Sequence, residues 1–421
     1  MKKKQHKFLL NNTEEFKIKM LNWSNLFNIF CFLDSNQYQS SSTFDCILAI
    51  GSKKDIQLKT LESFSELKLF SKENKDWLFG HFNYPSAQND EIGFPTAFFF
   101  IPQILIQISG NTLVIESDSE TPETIFKKIE EQSRHILPSA INLNIRHKIS
   151  ETQYLEAIVK LKEHIQRGDC YEINFCQEFF AEEAFLNPIS LYYQLNKISP
   201  NPFAAFYKLE NKFCICASPE RFIRKLGNTI LSQPIKGTSK RHLNDIEKDE
   251  ASKSRLLNSP KERSENVMIV DLVRNDLSKI CLEGSVVVKE LFGIYSFPQV
   301  HQMISTIEGK VHENMHWTDI IEACYPMGSM TGAPKKRVME LIELYEASPR
   351  GLFSGSIGYV SPDGDFDFNV VIRSLFYNQA NNFISFKAGG GITFHSDPLQ
   401  EYQESLIKAS AIKKILQSSE G

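Results

Sequence analysis

The first third of the chain alternates short apolar runs with polar turns, a pattern that predicts β-strands. Between residues 1 and about 145 the runs include FNIFCFLDSN, FDCILAIGS, WLFGHFNY and NTLVIES. They are rich in Phe, Ile and Val and are bounded by Ser, Asn and Gly, which is typical of strands. No catalytic signature lies among them, so candidate chemistry has to be sought further along the chain.

Helical patterns follow this region. Ser150 and Gln153 form a capping box, and apolar residues then recur at helical spacing until Gly168. A second helix is predicted for residues 262–277, and a third begins after Pro398. The third is amphipathic. Its apolar stripe is Leu399, Tyr402, Leu406 and Ala409, opposite Glu401, Glu404 and Lys408.

Two further regions predict hairpins. Residues 202–238 place turns at Glu210-Asn211 and Gly227-Asn228, and residues 353–388 read as a meander that three glycines end. Strands joined by hairpins, with helices inserted, favour an α+β fold built on antiparallel sheets. No P-loop or dinucleotide-binding glycine pattern is present.

Composition narrows the class of protein. The 421 residues are 42% hydrophobic and 23% charged, which is typical of globular chains. A net charge of −4 is too close to neutral for nucleic acid or an anionic membrane to be the default partner, so an anionic ligand requires a local positive site. The eight scattered cysteines, the absence of a secretory leader pattern and the lack of a membrane-length apolar run predict a reduced, cytoplasmic protein.

Two residues are candidates for covalent and acid–base chemistry. Lys236 stands in PIKGT, where we expect a short turn to hold its amine. Burial can lower the pKa of a lysine and make it a nucleophile, although a surface lysine fits the same pattern. Glu220, in ASPERF, ends an apolar strand, where desolvation would raise its pKa and suit a general acid. A solvated glutamate paired with Arg221 or Arg224 is the alternative.

Two more acids are candidates for metal binding. Glu265 and Glu404 lie on separate predicted helices, and together they would suit Mg²⁺, which takes one or two protein carboxylates. The alternative is two solvated helix faces, with Glu404 paired to Lys408 at i,i+4.

Two features are candidates for anion binding. Glycines 389–391 would let backbone amides approach a carboxylate closely, although an ordinary turn explains them equally well. Arg373, amid apolar residues in VVIRSL, suits a bidentate carboxylate if it is buried. An outward-facing strand position is the alternative.

Taken in order, several motifs resemble the chorismate-utilising enzymes, which include anthranilate, aminodeoxychorismate, isochorismate and salicylate synthases. The motifs are SPERF, PIKGT, SENVMIVDLVRNDL, MGSMTGAPKKRVMELI, SGSIGYVSPDGDFDFNVVIRSL, KAGGGI and EYQES. The resemblance covers residues 150–417, and residues 1–145 are similar to the variable N-terminal part of the same fold. It implies a large layered antiparallel-sheet sandwich with flanking helices, whose cleft binds chorismate with Mg²⁺.

The resemblance also implies roles for individual residues. Glu265 and Glu404 match the family's metal-ligand positions. The positions that match its substrate contacts are Gly237, Thr238, Arg373, Gly389, Gly390, Gly391 and Lys408.

Lys236 is similar to the lysine of aminodeoxychorismate synthases, which attacks C2 of the ring, whereas anthranilate synthases usually carry alanine there. Isochorismate and salicylate synthases use a lysine base at the position of Glu172, and that base is absent here. The resemblance therefore implies a transaminase-class reaction of folate and p-aminobenzoate synthesis. Glu220 would protonate the departing C4 hydroxyl, and ammonia would form 4-amino-4-deoxychorismate.

The resemblance has implications for partners as well. The sequence has no glutaminase-like nucleophile elbow with cysteine, so we expect ammonia from a separate glutamine amidotransferase subunit. Glu172 and Gln302 depart from commoner glutamine and histidine, and no LLES-like signature for tryptophan binding is evident near the N-terminus. The alternatives are an anthranilate synthase large component and a non-catalytic regulator with the same fold.

Overall fold

The structure is a computed structural model that describes residues 3–38, 44–137, 141–298 and 300–417. Its strands are β1 Lys4–Leu9, β2 Ile29–Asp34, β3 Cys46–Leu58, β4 Leu78–Phe82, β5 Ala97–Ser109, β6 Thr112–Ser117, β7 Arg146–His147, β8 Glu172–Ala181, β9 Phe203–Leu209, β10 Lys212–Ser218, β11 Arg221–Leu226, β12 Thr229–Gln233, β13 Ile235–Lys240, β14 Val287–Ser296, β15 Val300–Lys310, β16 Gly332–Ala333, β17 Ser356–Val360, β18 Phe366–Asn369, β19 Ser374–Asn378 and β20 Phe383–Ile392.

The α-helices surround these strands. They are α1 Thr13–Ser24, α2 Phe64–Glu73, α3 Pro122–Glu130, α4 Glu151–Gln166, α5 Pro188–Ile198, α6 Ile246–Leu257, α7 Pro260–Ser278, α8 Trp317–Cys324, α9 Lys335–Tyr345 and α10 Pro398–Leu416. None of the helices in the described ranges has the length and apolar character needed to cross a membrane.

Pairing connects all the described strands, and every pairing between them is antiparallel. The predicted α+β class with antiparallel sheets is therefore confirmed. Strands from both sides of residues 145–150 pair with each other: β2 with β9, and β4 with β17. The division into parts 1–145 and 150–417 stays a prediction.

The sheet is covered on both faces, which explains the continuous apolar runs. Along β2, Cys31 packs into one core, whereas Phe30 and Phe32 pack into another. The second core also holds Met20 of α1 and Ile412 of α10, so helices cover that face. Successive strand residues point to opposite faces, and therefore each must be apolar when both faces are buried.

The predicted helices are present with small shifts at their ends. Ser150 and Gln153 make the full capping box of α4, and Gly168 follows the helix with φ of +83°. The apolar stripe of α10 is partly wrong: Leu399 is 46% exposed, whereas Glu401 is buried. The reason is an ion pair, since Glu401 Oε1 lies 3.1 Å from Lys261 Nζ on α7.

Two predictions within the meander are wrong. The run FDFNVVIRSLFY does not form one strand, because the chain leaves the sheet between β18 and β19 and Arg373 adopts φ of +51°. Gly389–Gly391 do not form a loop after the meander but lie inside β20, paired with β8. A Cβ on Gly389 would stand 2.0 Å from the Phe175 carbonyl oxygen, so this close pairing requires glycine.

The cysteines behave as the sequence predicts for a reduced protein. All eight are free, seven are buried and Cys281 is half-buried. Three helices of the first third, α1, α2 and α3, were not anticipated, because strand-like runs dominate the pattern there.

A buried ion pair joins strands β11 and β18. Arg221 of β11 is 1% exposed and donates to both carboxylate oxygens of Asp367 on β18, at 2.9 and 3.0 Å. This bidentate geometry is among the stronger charged contacts in proteins. Because the guanidinium of Arg221 is bound by Asp367, the alternative in which Arg221 pairs with Glu220 is wrong.

Replacing Asp367 with alanine should leave the buried charge of Arg221 without its carboxylate partner. We expect the free energy of unfolding to fall by about 3–5 kcal/mol. The matched control is Asp271→Ala, which removes an exposed i,i+3 partner of Arg274 and should cost less than about 0.5 kcal/mol. Urea denaturation of both variants measures this, and equal losses would contradict the prediction.

Candidate active site

A cavity of about 960 Å³ lies where β8, β13 and β20 meet α7 and α10. All eleven residues that the sequence suggested for the site line it. They are Glu220, Lys236, Gly237, Thr238, Glu265, Arg373, Gly389, Gly390, Gly391, Glu404 and Lys408. The structure thus brings together residues that are up to 188 positions apart in sequence, from Glu220 to Lys408, while the role of each stays a prediction.

Lys236 is one of the residues that line the cavity. The sequence pattern predicted a short turn here, and that prediction is wrong. Lys236 lies within β13, at a break in the pairing register with β15. Such an irregularity re-aims a side chain within a strand. Lys236 is 8% exposed, and its Nζ donates to Glu172 Oε1 at 2.6 Å and to Asn174 Oδ1 at 3.4 Å.

The electrostatics of Lys236 differ from the expectation that burial lowers its pKa. Burial does oppose the charged amine, but the nearby carboxylates of Glu172 and Glu265 and the hydrogen bond that the amine donates to Glu172 outweigh it. The net pKa of Lys236 is raised. The lysine is therefore an ammonium group before any reaction, and a nucleophilic role requires a proton acceptor.

Glu220 sits between β10 and β11 and is 3% exposed. Burial raises the pKa of its carboxyl to about 7, although a hydrogen bond from Ser329 and the charge of Lys236 oppose the shift. A carboxyl with this pKa is half protonated near neutral pH, which is the condition a general acid needs.

The glycine strip of β20 forms part of the cavity wall beside Lys236. A Cβ on Gly391 would stand 2.7 Å from Glu172 Oε1 and 3.0 Å from Lys236 Nζ. On Gly390 it would meet only ordinary contacts, the nearest being Glu401 Oε2 at 3.4 Å. Glycine at 391 thus leaves room for the ion pair, and this is a steric role, not one of loop flexibility.

Two helices present pairs of glutamates to the cavity, each at i,i+3. Glu262 and Glu265 come from α7, and Glu401 and Glu404 come from α10. The sequence reasoning found only the second member of each pair. The i,i+3 spacing was the signal that could have found Glu262 and Glu401, because residues three apart share a helix face.

Glu265 is the least satisfied of these acids. It is 6% exposed, and its Oε1 has no hydrogen-bond partner in the described residues, since Lys261 Nζ is 3.9 Å away. Burial raises the pKa of Glu265 to about 8, with the charges of Glu172 and Glu262 adding to it and Lys236 opposing. A buried carboxylate oxygen without a donor calls for a cation.

Glu404 is in a different state. Lys408 Nζ lies 2.8 Å from Glu404 Oε1, and this ammonium holds the pKa of the Glu404 carboxyl below its ordinary value. The i,i+4 pair that the sequence offered as the alternative reading is therefore present, but inside the cavity wall. Lys408 Nζ also donates to the Gly389 carbonyl oxygen at 2.9 Å, which ties α10 to β20. Across the described ranges, no three His, Cys, Asp or Glu side chains form a ready metal cluster.

Arg373 is a cation without a partner among the described residues. Its guanidinium makes no hydrogen bond or ion pair with the described residues, and burial lowers its pKa to about 10. The positive φ of Arg373 favours glycine or asparagine, so the loop that places arginine here is strained. The cavity-lining position fits the predicted contact with a carboxylate.

The cavity lining contains more basic than acidic side chains. Seven basic and five acidic side chains of the described residues line it, although the chain carries −4 overall. Gln302 adds an unpaired acceptor, because its buried Oε1 has no partner in the described residues. Lys236, Arg241 and Lys387 are paired with acids outside the lining. The cation that fits an anionic ligand is therefore Arg373, which has no hydrogen-bond or ion-pair partner in the described residues.

Comparison with known proteins identifies the family. The family model described as chorismate binding enzyme matches residues 28–414. This chain belongs to that family. The matched region includes every residue of the cavity described above.

Individual relatives carry several names. The chain is 42% identical over 275 residues to aminodeoxychorismate synthase component 1 of Escherichia coli K12, covering 64% of this chain and 58% of that protein. It is 34% identical over 317 residues to the Bacillus subtilis 168 protein of the same name, covering 73% and 67%. It is also 33% identical over 319 residues to anthranilate synthase alpha subunit 1 of Arabidopsis thaliana, covering 72% and 53%. The match therefore spans about three-fifths of the first relative.

Solved structures confirm the fold. Anthranilate synthase component I of Streptococcus pneumoniae TIGR4 matches with a TM-score of 0.75 at 24% identity, covering 86% of this chain and 91% of that one. The menaquinone-specific isochorismate synthase of Escherichia coli matches with a TM-score of 0.79 at 17% identity, covering 99% and 94%. The layered sandwich expected from the sequence resemblance is thus confirmed.

The unusual titration of Glu220 can be measured directly. We expect a carboxyl carbon signal with a midpoint near pH 7, against about 4.3 for an ordinary glutamate. The measurement is a ¹³C NMR titration of protein labelled at the glutamate carboxyls, with Glu220→Gln to assign the signal. A signal lost in the variant but titrating below pH 5 in the wild type would contradict the prediction.

Proposed function

We propose that this protein is the chorismate-converting component of an aminodeoxychorismate synthase, a transaminase-class enzyme that makes 4-amino-4-deoxychorismate for p-aminobenzoate and folate. The observation that carries the proposal is the pair formed by Lys236 and Glu220, one buried amine and one buried acid on the same cavity. Anthranilate synthases usually carry alanine at the lysine position. The names of the relatives from Escherichia coli and Bacillus subtilis support the same activity.

Chorismate is a small dicarboxylate, and the cavity offers separate cations for such a ligand. Arg373 is free to bind one carboxylate in a bidentate manner. The backbone at Gly237 and Thr238 lies nearby on the same wall. These positions would fix the ring with its C2 toward Lys236, which is the geometric requirement for covalent chemistry.

In the proposed first half-reaction, the neutral amine of Lys236 forms a bond to C2 of the ring. The ring double bonds shift, the bond between C4 and its hydroxyl oxygen breaks, and Glu220 gives that oxygen a proton so that water leaves. In the second half, ammonia forms a bond to C4, the double bonds shift back, and Lys236 departs from C2. Covalent catalysis of this kind divides one difficult displacement into two easier ones.

Mg²⁺ fits the acidic part of the cavity. Glu265 and Glu404 would hold it. The feature that favours a cation there is the buried Oε1 of Glu265, which has no hydrogen-bond partner in the described residues. Magnesium prefers such oxygen ligands and keeps several waters. When bound, the ion would neutralise a substrate carboxylate and fix its position.

The ammonia source follows from the same proposal. Two relatives are named component 1, which supports a second component in this system. We propose a glutamine amidotransferase subunit as that partner, and the cytoplasm as the place of the reaction.

Purified protein given chorismate, ammonium and Mg²⁺ should form 4-amino-4-deoxychorismate without any partner. Lys236→Ala should lower its formation by at least about 10³-fold, because it removes the nucleophile. Chromatography identifies the product, and fluorescence detects anthranilate, the product of the alternative enzyme. Fluorescent product, or full turnover by Lys236→Ala, would contradict the proposal, and chorismate binding without turnover would favour a non-catalytic regulator.

Gly391 offers a steric test of the same site. Gly391→Ala should displace the Lys236 amine or its carboxylate partner and lower turnover by about 10²-fold, the cost of roughly 1 Å of misplacement. Gly390→Ala, one residue away with only ordinary contacts, should lose clearly less. Steady-state rates with ammonium compare the two, and an equal or larger loss in Gly390→Ala would contradict the assignment.

A further inference from the structure

Glu172 is a buried acid whose role the proposed chemistry has not yet used. It begins β8, is 0% exposed and is not among the residues that line the cavity. Lys236 does line the cavity, and its Nζ lies 2.6 Å from Glu172 Oε1. Glu172 can therefore act on a ligand only through this lysine.

The contact is specific in its geometry. Glu172 Oε1 is the nearest acceptor of the Lys236 amine, and Asn174 Oδ1 is a weaker second acceptor at 3.4 Å. The other oxygen, Glu172 Oε2, is buried and has no hydrogen-bond partner in the described residues. The absence of a side chain at Gly391 keeps the space around Oε1 and Nζ clear. Nothing else in the described residues competes for this carboxylate.

A protonated lysine has no lone pair to give, so the proton on Lys236 has to move before C2 can be attacked. Of the acids around the amine, Glu220 and Glu265 influence it through their charge, and Glu172 alone also hydrogen-bonds it. Glu220 is needed in its protonated form for the C4 hydroxyl. The raised pKa of Lys236 means that this proton transfer is a requirement of the reaction.

We propose that Glu172 accepts the proton of Lys236 as the amine attacks, and that it holds the amine in line with the ring. The inference rests on the proposed function. The proton moves from Nζ to Oε1, and the freed electron pair forms the bond to C2. When ammonia later expels the lysine, Nζ leaves as a neutral amine and regains its proton from Glu172. The Glu220 carboxylate takes a proton from the new C4 ammonium, so both acids return to their starting states.

Substitution of Glu172 tests this assignment. Glu172→Gln gives the residue that is commoner in related synthases; it keeps the size and the hydrogen bond but cannot accept the proton. The charge of Glu265 still favours the ammonium form of Lys236 in this chain, so kcat should fall by about 10²–10⁴-fold. The KM for chorismate should stay within threefold, because Glu172 does not line the cavity. Glu172→Ala should be equally slow and should regain at least tenfold in rate when sodium formate is added, since formate can enter the vacated space and take the proton.

Asp34→Asn provides the matched control. Asp34 and Lys17 form another buried ion pair, with Lys17 Nζ 2.9 Å from Asp34 Oδ1, and neither lines the active-site cavity. This variant should lose thermal stability and keep its kcat within twofold, which separates loss of a buried pair from loss of a proton acceptor. Lys236→Ala should stay inactive with formate, because it lacks the amine itself.

The outcomes separate the two proposals. If wild-type protein forms no 4-amino-4-deoxychorismate, the proposed function is wrong. If wild-type protein is active and Lys236→Ala is not, the function stands. The role of Glu172 is then overturned by a Glu172→Gln rate within threefold of wild type, or by a Glu172→Ala rate that formate does not raise.

Discussion

The ion pair between Lys236 and Glu172 sets the arrangement of the candidate site. Moving an ammonium group and a carboxylate out of water is costly, and attraction between them offsets that cost only when the contact is close and other donors and acceptors help. Here the contact is 2.6 Å, Asn174 supplies a second acceptor, and strand β8 holds Glu172 while strand β13 holds Lys236. A charged nucleophile can therefore be kept inside the protein, at the bottom of a cavity that ligands can enter.

The acids around Lys236 differ in their partners and in their pKa values. Glu172 forms the ion pair with Lys236, whereas burial raises the pKa of Glu220 to about 7. Glu265 and Glu404 also differ from each other, since Glu265 Oε1 has no hydrogen-bond partner in the described residues and Glu404 is paired with Lys408. Environments that push the pKa values of neighbouring acids apart allow a single cavity to hold both donors and acceptors of protons.

Much of this could be predicted from the sequence, and the exceptions have physical reasons. The hairpins of residues 202–238 and the α4 capping box are local patterns, and they were predicted correctly. The strand containing Gly389–Gly391 was missed, because its glycines are required by Phe175 and Lys236, which are distant in sequence. The net pKa of Lys236 was misjudged for the same reason: the sequence places the lysine in an apolar setting but does not show Glu172 beside it. The family resemblance implied which residues belong to the site, while contacts between residues distant in sequence determine its protonation.

The three glycines of β20, Gly389–Gly391, limit which substitutions can alter the shape of the cavity. Three successive positions there present only backbone to the cavity, and two of them have no space for even a methyl group. Single substitutions at Gly389 and Gly391 therefore cannot reshape that surface. New ligand preferences would have to arise from the helices α7 and α10 and the loop that bears Arg373, where side chains can be exchanged one at a time.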